Sequence, residues 1–321
     1  MMKSAANLAA RCPKSTRESK SVVMFIFFFD ENRSAEAAKR YEGRRDNLSE
    51  GELREVLSAN LINDIDLDTP IYRICSYASL MEVFEDKKLR FSRPSSWDDP
   101  YENYYLRYKV DVDGELVKLK ELERSILAQC WSLEPESDGL WRNFGGGKHK
   151  LSVQIESTVW DIMKELYDFQ AGSPNQKYYC GRVNYVSSED IEAELKAPVK
   201  SSYGRDWSAR RAILRTLMTK RSPFAYEQEV RFVFIRPSMT SAGSYDERHR
   251  AKNKWAYNQN AFYVKIEPKK CIKKVKIAPW VDKKTAEIIK RAVCEYGFNP
   301  AMISQSKLYD RPGLRVNVKK K

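Results

Sequence analysis

The chain has 321 residues, of which 42% are hydrophobic and 31% charged, and its formal net charge is +13. A chain of this length can bury a core large enough to fold without disulfides or a structural metal, and its 12% of aromatic residues excludes a wholly disordered protein. The longest apolar run is too short to cross a membrane and the six cysteines include no C-x-x-C pair, so we expect a cytoplasmic protein with free thiols.

The first 48 residues are predicted to be an accessory or disordered extension. A main domain is expected over residues 49–310, followed by a basic tail at 311–321. Within the extension, the apolar run Val22–Phe29 fits a short buried strand better than a secretion signal, because Asp30 and Glu31 follow it and no A-x-A cleavage site does. The segment Ala35–Arg45 is predicted to be an exposed helix.

The first half of the main domain alternates helices and strands. Ser49 and Glu52 have the spacing of a capping box, which predicts a helix that runs to about Leu61. The predicted elements that follow are the strand Ile71–Cys75, a helix capped by Ser76, the strand Lys88–Ser92, a turn at Ser95–Pro100, the strand Tyr104–Val112, the helix Leu116–Ile126 and the strand Leu127–Ser132.

The second half continues in the same manner. Its predicted elements are a loop at Asp138–Lys150 centred on three glycines, the strand Leu151–Ile155, the helix Val159–Phe169, the strand Arg182–Val186, the amphipathic helix Trp207–Thr219, the strand Glu229–Ile235, a polar insertion at Ser238–Asn260, the strands Phe262–Ile266 and Val275–Ala278, the helix Lys283–Tyr296 with Gly297 after it, and the strand Met302–Ser304. Because helices and strands are interspersed without regular βαβ alternation, we predict an α+β fold with a mixed, mainly antiparallel sheet and packed helices.

The positive charge is concentrated in the C-terminal part. Residues 250–321 contain nineteen Lys and Arg against five Asp and Glu, so residues 1–249 carry a formal charge of −1. Such asymmetry is typical of a surface for nucleic acid or another polyanion, and equally of a solvated basic face. The residues that the first interpretation would use are Arg210, Arg211, Arg215, Lys273, Lys274 and Lys276.

Metal and nucleotide-loop chemistry have little support in the sequence. The two histidines, His149 and His249, belong to no H-E-x-x-H motif and no Cys/His cluster, so we predict no metal site. The run Gly145–Lys148 lacks the rest of the G-x-x-x-x-G-K-[ST] phosphate loop and is interpreted as a surface loop.

Two acidic segments could carry chemistry. Asp98, Asp99 and Glu102 surround Pro100, which favours a turn over a cation site. Glu227 and Glu229 would share one face of a strand, where two carboxylates could hold sugar hydroxyls or stabilise an oxocarbenium ion. The alternative for these two glutamates is an architectural ion pair, with Arg73 or Arg142 as the partner.

Several segments together resemble a bacterial family known only as domain of unknown function 2971 (DUF2971). They are Ile71–Arg73, Leu89–Glu102, Cys130–Ser132, Leu140–Gly145 and Phe224–Arg231, and the resemblance covers residues 71–308. The chain departs from the family pattern at Asp98, Leu140 and Phe224. The resemblance implies a bacterial or phage-borne cytosolic protein and no established reaction.

The order of Arg73, Ser92 and the Glu227-x-Glu229 strand is also similar to the arginine–serine–glutamate layout of the ADP-ribosyltransferase superfamily. That resemblance implies NAD as the cofactor. Arg73 would bind a phosphate, Ser92 would orient the glutamate, and Glu229 or Glu227 would stabilise the positive charge formed as nicotinamide leaves. The further ligand-binding candidates are Tyr72, Trp97, Asp99, Arg142, Tyr226 and Arg231. The alternative is a non-catalytic binding module whose basic C-terminal part contacts nucleic acid or another polyanion.

Overall fold

A computed structural model of the chain describes residues 31–44, 47–112, 115–117, 120–147, 150–170, 177–196, 213–235 and 261–314. Several predictions lie outside these residues. They are the strand Val22–Phe29, the first part of the helix Trp207–Thr219, the insertion Ser238–Asn260, both histidines, and Arg210 and Arg211.

Helices and strands alternate irregularly along the chain. The helices are α1 (Glu31–Arg40), α2 (Glu50–Ser58), α3 (Tyr77–Asp86), α4 (Tyr104–Arg107), α5 (Lys120–Ser125), α6 (Asp138–Phe144), α7 (Val159–Gln170), α8 (Ser188–Lys196), α9 (Pro268–Cys271) and α10 (Lys283–Glu295). Residues 213–217 are also helical, and 3-10 turns occupy Pro94–Ser96, Ser222–Glu227 and Pro300–Met302. The strands are β1 (Leu61–Ile62), β2 (Pro70–Ser76), β3 (Lys88–Ser92), β4 (Val110–Val112), β5 (Glu115–Val117), β6 (Ile126–Ser132), β7 (Ser152–Thr158), β8 (Lys177–Arg182), β9 (Asn184–Val186), β10 (Thr219–Arg221), β11 (Glu229–Ile235), β12 (Ala261–Lys265), β13 (Lys274–Ile277) and β14 (Ile303–Gln305).

The local signals at helix ends are confirmed. Ser49 accepts a hydrogen bond from the backbone N–H of Glu52, and the Glu52 carboxylate accepts one from the N–H of Ser49 at 2.8 Å, which completes the capping box. Ser76 accepts from the N–H of Ser79 at 3.0 Å and begins α3. Gly297 follows α10 with a φ of +80°, the left-handed conformation that favours glycine at a helix end.

The two helices predicted near the N-terminus are present, but their bounds differ from the prediction. The helix that begins after Ser49 ends at Ser58, and Leu61 and Ile62 instead pair in parallel with β8. The helix predicted at Ala35–Arg45 is α1, which begins four residues earlier and ends at Arg40. The predicted segment is not wholly exposed, because Ala37 and Tyr41 are buried. The Tyr41 hydroxyl donates to the Glu55 carboxylate at 2.8 Å, which joins α1 to α2.

Between residues 104 and 150 the tertiary environment overrides the local pattern. The predicted strand Tyr104–Val112 is the short helix α4 followed by β4, since Leu106 is fully buried in a core cluster. The predicted helix Leu116–Ile126 is β5 followed by α5. The predicted loop Asp138–Lys150 begins with the helix α6, because Ser137 caps its N-terminus and Trp141 is buried in the larger core cluster. The single strand predicted at Arg182–Val186 is divided between the end of β8 and β9.

One large sheet organises the molecule, with strand order β1-β8-β11-β6-β2-β7-β13-β14. Its described pairings are antiparallel except those of β1 with β8 and of β13 with β14. This confirms the prediction of an α+β fold with a mainly antiparallel sheet. Within the described residues, no helix is both long enough and apolar enough to span a membrane.

The sheet divides at β6. On one side β6 pairs continuously with β11. On the other side Ser132 pairs with Tyr72 of β2, whereas Ala128 pairs with Ser92 of β3, and β3 then pairs with β12. The intervening residues 129–131 have no described ladder partner on that side. The two branches therefore diverge around the middle of β6 and leave a gap between β2 and β3.

Candidate functional site

A cleft of about 260 Å³ lies at the division of the sheet. Residues of β2, β3, β6, β7, β11 and α6 surround it. They are Tyr72, Arg73, Ile74, Arg90, Ser92, Trp97, Ala128, Gln129, Cys130, Trp131, Ser132, Leu140, Phe144, Gln154, Glu227 and Glu229. The cleft combines several polar side chains with aromatic walls, which is the usual make-up of a small-molecule site.

Three residues that the sequence singles out for chemistry line this cleft together. They are Arg73 on β2, Ser92 on β3 and Glu229 on β11. The register places Ser92 and Glu229 on the same face of the sheet. Ser92 lies opposite Ala128 and Glu229 lies opposite Ser132, and alternate residues of β6 point to one face.

Two arginines border the cleft. Arg90 precedes Ser92 by two residues and so shares its face, whereas alternation along β2 directs Arg73 to the opposite face from Tyr72. Among the described residues, none makes a hydrogen bond or an ion pair with the side chain of either arginine. Both guanidinium groups are therefore available to an anionic ligand, for which arginine supplies bidentate donors.

A buried cluster of five charged side chains lies beneath the cleft, and we call it the carboxylate cluster. Arg231 donates to Glu229 at 2.6 Å and to Glu102 at 2.7 Å. The Lys220 ammonium lies 2.6 Å from Glu227, 3.4 Å from Glu229 and 3.5 Å from Glu102. Three acidic and two basic side chains thus pair with one another with little solvent, which favours fixed geometry.

The pKa values of Glu227 and Glu229 in this cluster are shifted in opposite directions. Burial raises the pKa of Glu229, but the charges of Arg231 and Lys220 outweigh burial and hold that pKa below its ordinary value. Burial raises the pKa of Glu227, and the partial compensation by Lys220 leaves it above its ordinary value. Two carboxyl groups with pKa values pushed apart are suited to two different roles in one reaction.

The structure corrects two steps in the sequence argument about these glutamates. Glu227 is the last residue of a 3-10 turn rather than part of a strand, and Gln228 follows with a φ of +43°. Glu227 therefore reaches Glu229 through their common partner Lys220 and not through strand alternation. The ion-pair partners are Lys220 and Arg231, and neither predicted partner, Arg73 nor Arg142, is among them.

The carboxylate of Glu229 is oriented by residues other than Ser92. Arg231 and Lys220 hold it by ion pairs. No hydrogen bond between Ser92 and Glu229 is described. Ser92 is thus a wall residue of the cleft, and the orienting role expected for it falls to the carboxylate cluster.

Of the other ligand-binding candidates, Tyr72 and Trp97 line the cleft. Arg231 does not, because it is fully buried behind Glu229 with its guanidinium 4.0 Å from the centre of the Trp97 ring. Asp99 is also buried outside the cleft, where it accepts hydrogen bonds from Arg221 and from the backbone N–H of Tyr101. Asp99 thus fits the turn interpretation of its segment.

Arg142 and Tyr226 lie outside the cleft. Arg142 on α6 pairs with Asp138 at 2.7 Å, one helical turn away. The exposed Tyr226 accepts a hydrogen bond from Asn143 at 2.7 Å. Both side chains brace the outer surface of α6.

The lysines considered for polyanion binding are paired with carboxylates. Lys273 lies 2.9 Å from Asp161, and the two other pairs, Lys274 with Glu156 and Lys276 with Glu136, measure 2.7 and 3.3 Å. Arg215 is half-buried among the helical residues 213–217. These pairs reduce the free positive charge of β13. Across the described ranges, no three His, Cys, Asp or Glu side chains group as metal ligands would.

Four residues that are important to the site, Arg90, Cys130, Lys220 and Gln154, are among those that the sequence did not identify. Arg90 could have been found by alternation from Ser92, and Cys130 by its place in the motif that resembles DUF2971. Lys220 and Gln154 have no such signal, because their positions depend on pairings of strands distant in the chain, β9 with β10 and β2 with β7.

No family model matches the chain, and no curated protein matches it. Solved structures that resemble it include DarT of Thermus sp. 2.9 in complex with ADP-ribosylated ssDNA, at 14% identity and a TM-score of 0.32 over 75% of this chain and 95% of that one. The same protein in complex with NAD+ gives 15% identity and a TM-score of 0.30 over 76% of this chain and 98% of that one.

Proposed function

We propose that the chain is an NAD-cleaving enzyme of the ADP-ribosyltransferase type. The observation that carries the proposal is that Arg73, Ser92 and Glu229 all line one cleft, with Glu229 kept ionised by Arg231 and Lys220. These three residues come from three strands that are far apart in sequence. Their presence in one cleft fits the arginine–serine–glutamate layout of the ADP-ribosyltransferase superfamily.

The ionised Glu229 suits the bond-breaking step. When the bond between nicotinamide and ribose C1′ breaks, its electron pair goes to the nicotinamide nitrogen and positive charge develops on the ribose. A carboxylate already fixed and charged beside that ribose stabilises the charge without having to reorganise. The pKa of Glu229, lowered by its cationic neighbours, keeps this group charged near neutral pH.

Glu227 suits the bond-forming step. The acceptor nucleophile forms a bond to C1′ and must lose a proton, which a nearby carboxylate can take up. The raised pKa of Glu227 makes it a better proton acceptor than an ordinary glutamate. Arg73 and Arg90 supply the positive charge that the diphosphate of NAD needs, since neither has a described ion-pair partner.

The motifs that resemble DUF2971 support the same location. Tyr72 and Arg73, Trp97, Cys130–Ser132, and Glu227 with Glu229 each belong to one of these motifs and each line the cleft. We therefore propose that the chain belongs to that family and that the family motifs mark its ligand site. The non-catalytic alternative has less support, because Lys273, Lys274 and Lys276 are already paired.

Two measurements on one set of variants test the proposal. Isothermal titration measures NAD binding, and a nicotinamide-release assay with and without candidate acceptors measures cleavage. We expect Glu229→Gln to bind NAD with an affinity within about tenfold of wild type and to release nicotinamide about 10²–10³-fold more slowly. Glu55→Gln, on the exposed side of α2 and paired with Arg40, is the matched control and should keep full activity. A wild-type chain that neither binds NAD nor releases nicotinamide would refute the proposal.

A further inference from the structure

A buried amide without a partner borders the cleft. Gln154 on β7 is 2% exposed, and its side-chain nitrogen Nε2 has no hydrogen-bond partner within the part of the chain that the structure describes. Gln154 lines the cleft. Buried polar atoms are nearly always paired, and those that are not commonly await a ligand or carry a functional role.

Gln154 pairs with Ile74 of β2 on one side and with Lys276 of β13 on the other, and two apolar residues of α6 line the same cleft. They are Leu140 and Phe144, and Phe144 is 51% exposed although it is a large aromatic residue. The end of α6 lies over β7, because a Cβ atom at Gly145 would lie 2.9 Å from the Ser152 hydroxyl, two residues before Gln154. This end of the cleft therefore offers one aromatic surface and one unsatisfied amide donor.

The sheet register places this end far from the reacting carboxylate. From Glu229 the register runs through Ser132 and Tyr72 to Glu156, which is two residues from Gln154 on the same face. Three strand spacings separate β11 from β7, which is about 14 Å. A ligand that contacts both ends must be extended and must carry a flat group remote from the bond that breaks.

We propose that Gln154, Leu140 and Phe144 form a base-recognition subsite for the adenine of an adenine nucleotide. An exposed ring can stack on a base, and a glutamine amide matches the donor and acceptor edge of adenine, where N7 accepts and the N6 amino group donates. The Gln154 Nε2 atom donates to the adenine ring nitrogen. This inference extends the proposed function, in which NAD is the substrate, by assigning its adenylate half to the β7 end of the cleft.

The test compares ligands that contain adenine with one that lacks it. Isothermal titration would measure ADP, NAD and nicotinamide mononucleotide on wild type, Gln154→Met and Phe144→Ala. We expect each variant to bind ADP and NAD about tenfold or more weakly than wild type. Affinity for nicotinamide mononucleotide should stay unchanged, because that ligand does not reach β7.

Stability separates a ligand-binding role of Gln154 from a structural one. Methionine has a similar volume and removes the unsatisfied amide, so Gln154→Met without ligand should melt at or above the temperature of wild type. The matched control is Gln305→Met, because the Gln305 amide already donates to the carbonyl of Val281. That control should melt at a lower temperature and bind ADP as wild type does.

The outcomes distinguish this inference from the proposed function. If wild type fails to bind ADP, or Gln154→Met binds ADP as tightly as wild type, the subsite is refuted. If both variants lose affinity for nicotinamide mononucleotide in parallel with ADP, the subsite is also refuted, because the effect is then not specific to the base. If wild type binds ADP through Gln154 but releases no nicotinamide from NAD, the subsite stands and the proposed reaction fails.

Discussion

Lys220 contacts all three acidic members of the carboxylate cluster, and its own side chain is almost wholly buried. Burial disfavours its charge, but Glu229, Glu102 and Glu227 outweigh burial and hold the pKa of Lys220 above its ordinary value. The charge of Lys220 in turn acts to lower the pKa of both Glu227 and Glu229, although for Glu227 it offsets the effect of burial only in part. One lysine thus contributes to the charge state of both candidate catalytic carboxyl groups, together with Arg231 for Glu229.

We expect Lys220→Met to shift the pH dependence of nicotinamide release. Without the ammonium group the pKa of Glu229 rises, so the anion that the reaction needs is lost at a higher pH and the acidic limb of kcat/KM moves upward. The variant should also lose about 3–5 kcal/mol of unfolding free energy, because one partner of a buried ion pair is removed. The pH profile of the reaction and denaturant unfolding at pH 7 measure the two effects.

The lowered pKa of Glu229 also determines how the free energy of unfolding changes with pH. A carboxyl group whose pKa is lowered on folding, as for Glu229, stabilises the fold above its ordinary pKa and loses that contribution as pH falls through the lowered value. Lys220→Met should weaken this acid-side dependence. Lys220→Arg keeps the charge and is the control. An acidic limb that stays in place in Lys220→Met would contradict the role assigned to Lys220.

At the scale of single residues, the sequence identified residues that line the cleft better than the residues that hold Glu229 in place. Arg73, Ser92 and Glu229 were recognisable because each belongs to a strand with a clear pattern. The partners of Glu229 were not recognisable in the sequence. Lys220, for example, is on the three-residue strand β10, which pairs with β9 in a separate small sheet. Asp99 is a candidate that the sequence suggested and that lies outside the site. Its carboxylate is buried against Arg221, away from the cleft.

Among the elements, α6 connects the cleft to the outer surface, and its end is tightly packed. A Cβ atom at Gly145 would lie 2.4 Å from the carbonyl oxygen of Trp141 and 2.9 Å from the Ser152 hydroxyl. We therefore expect Gly145→Ala to cost about 1–3 kcal/mol of unfolding free energy, as overpacking usually does. It should also weaken ADP binding, because the displaced helix end carries Phe144. Thermal unfolding and isothermal titration measure these changes.

Gly51 provides the control for this substitution. It lies in α2, and a Cβ atom there would meet nothing within 4 Å. Alanine favours a helix over glycine by up to about 1 kcal/mol, so Gly51→Ala should raise the melting temperature and leave ADP affinity unchanged. Equal stability of Gly145→Ala and wild type would show that α6 can move away from β7 at no cost.

The elements that sequence analysis identified correctly have strong local signals. The strand β11 and the helix α10 have continuous patterns with clear ends, and both agree with prediction within one residue. The segment 138–150 was predicted to be a loop because three glycines lie within it. The helix α6 depends on two weaker signals, the N-cap Ser137 and the buried Trp141. The segment 104–112 was misread because burial of Leu106, a tertiary effect, decides its conformation.

At the scale of the whole molecule, the division of the sheet produces the cleft. Residues on β6 contact both branches, so β2 and β7 form one wall while β3 forms the other. No pattern within a single strand predicts such a division, since it depends on which strands pair with β6 at each end. The location of the site could therefore not be read from the sequence, although several of its residues could.

A ligand that spans this division should hold the two branches together. At a free NAD concentration of 100 times the Kd, the free energy of unfolding should rise by about 2.7 kcal/mol. Hydrogen exchange should slow in β2 and in β3, because the proposed ligand contacts residues of both branches. The fraying ends of α10, outside the cleft, should exchange at the same rate with and without NAD. Slower exchange in only one branch would show that the ligand does not bridge the divided sheet, and that Arg73 and Arg90 do not bind the same molecule.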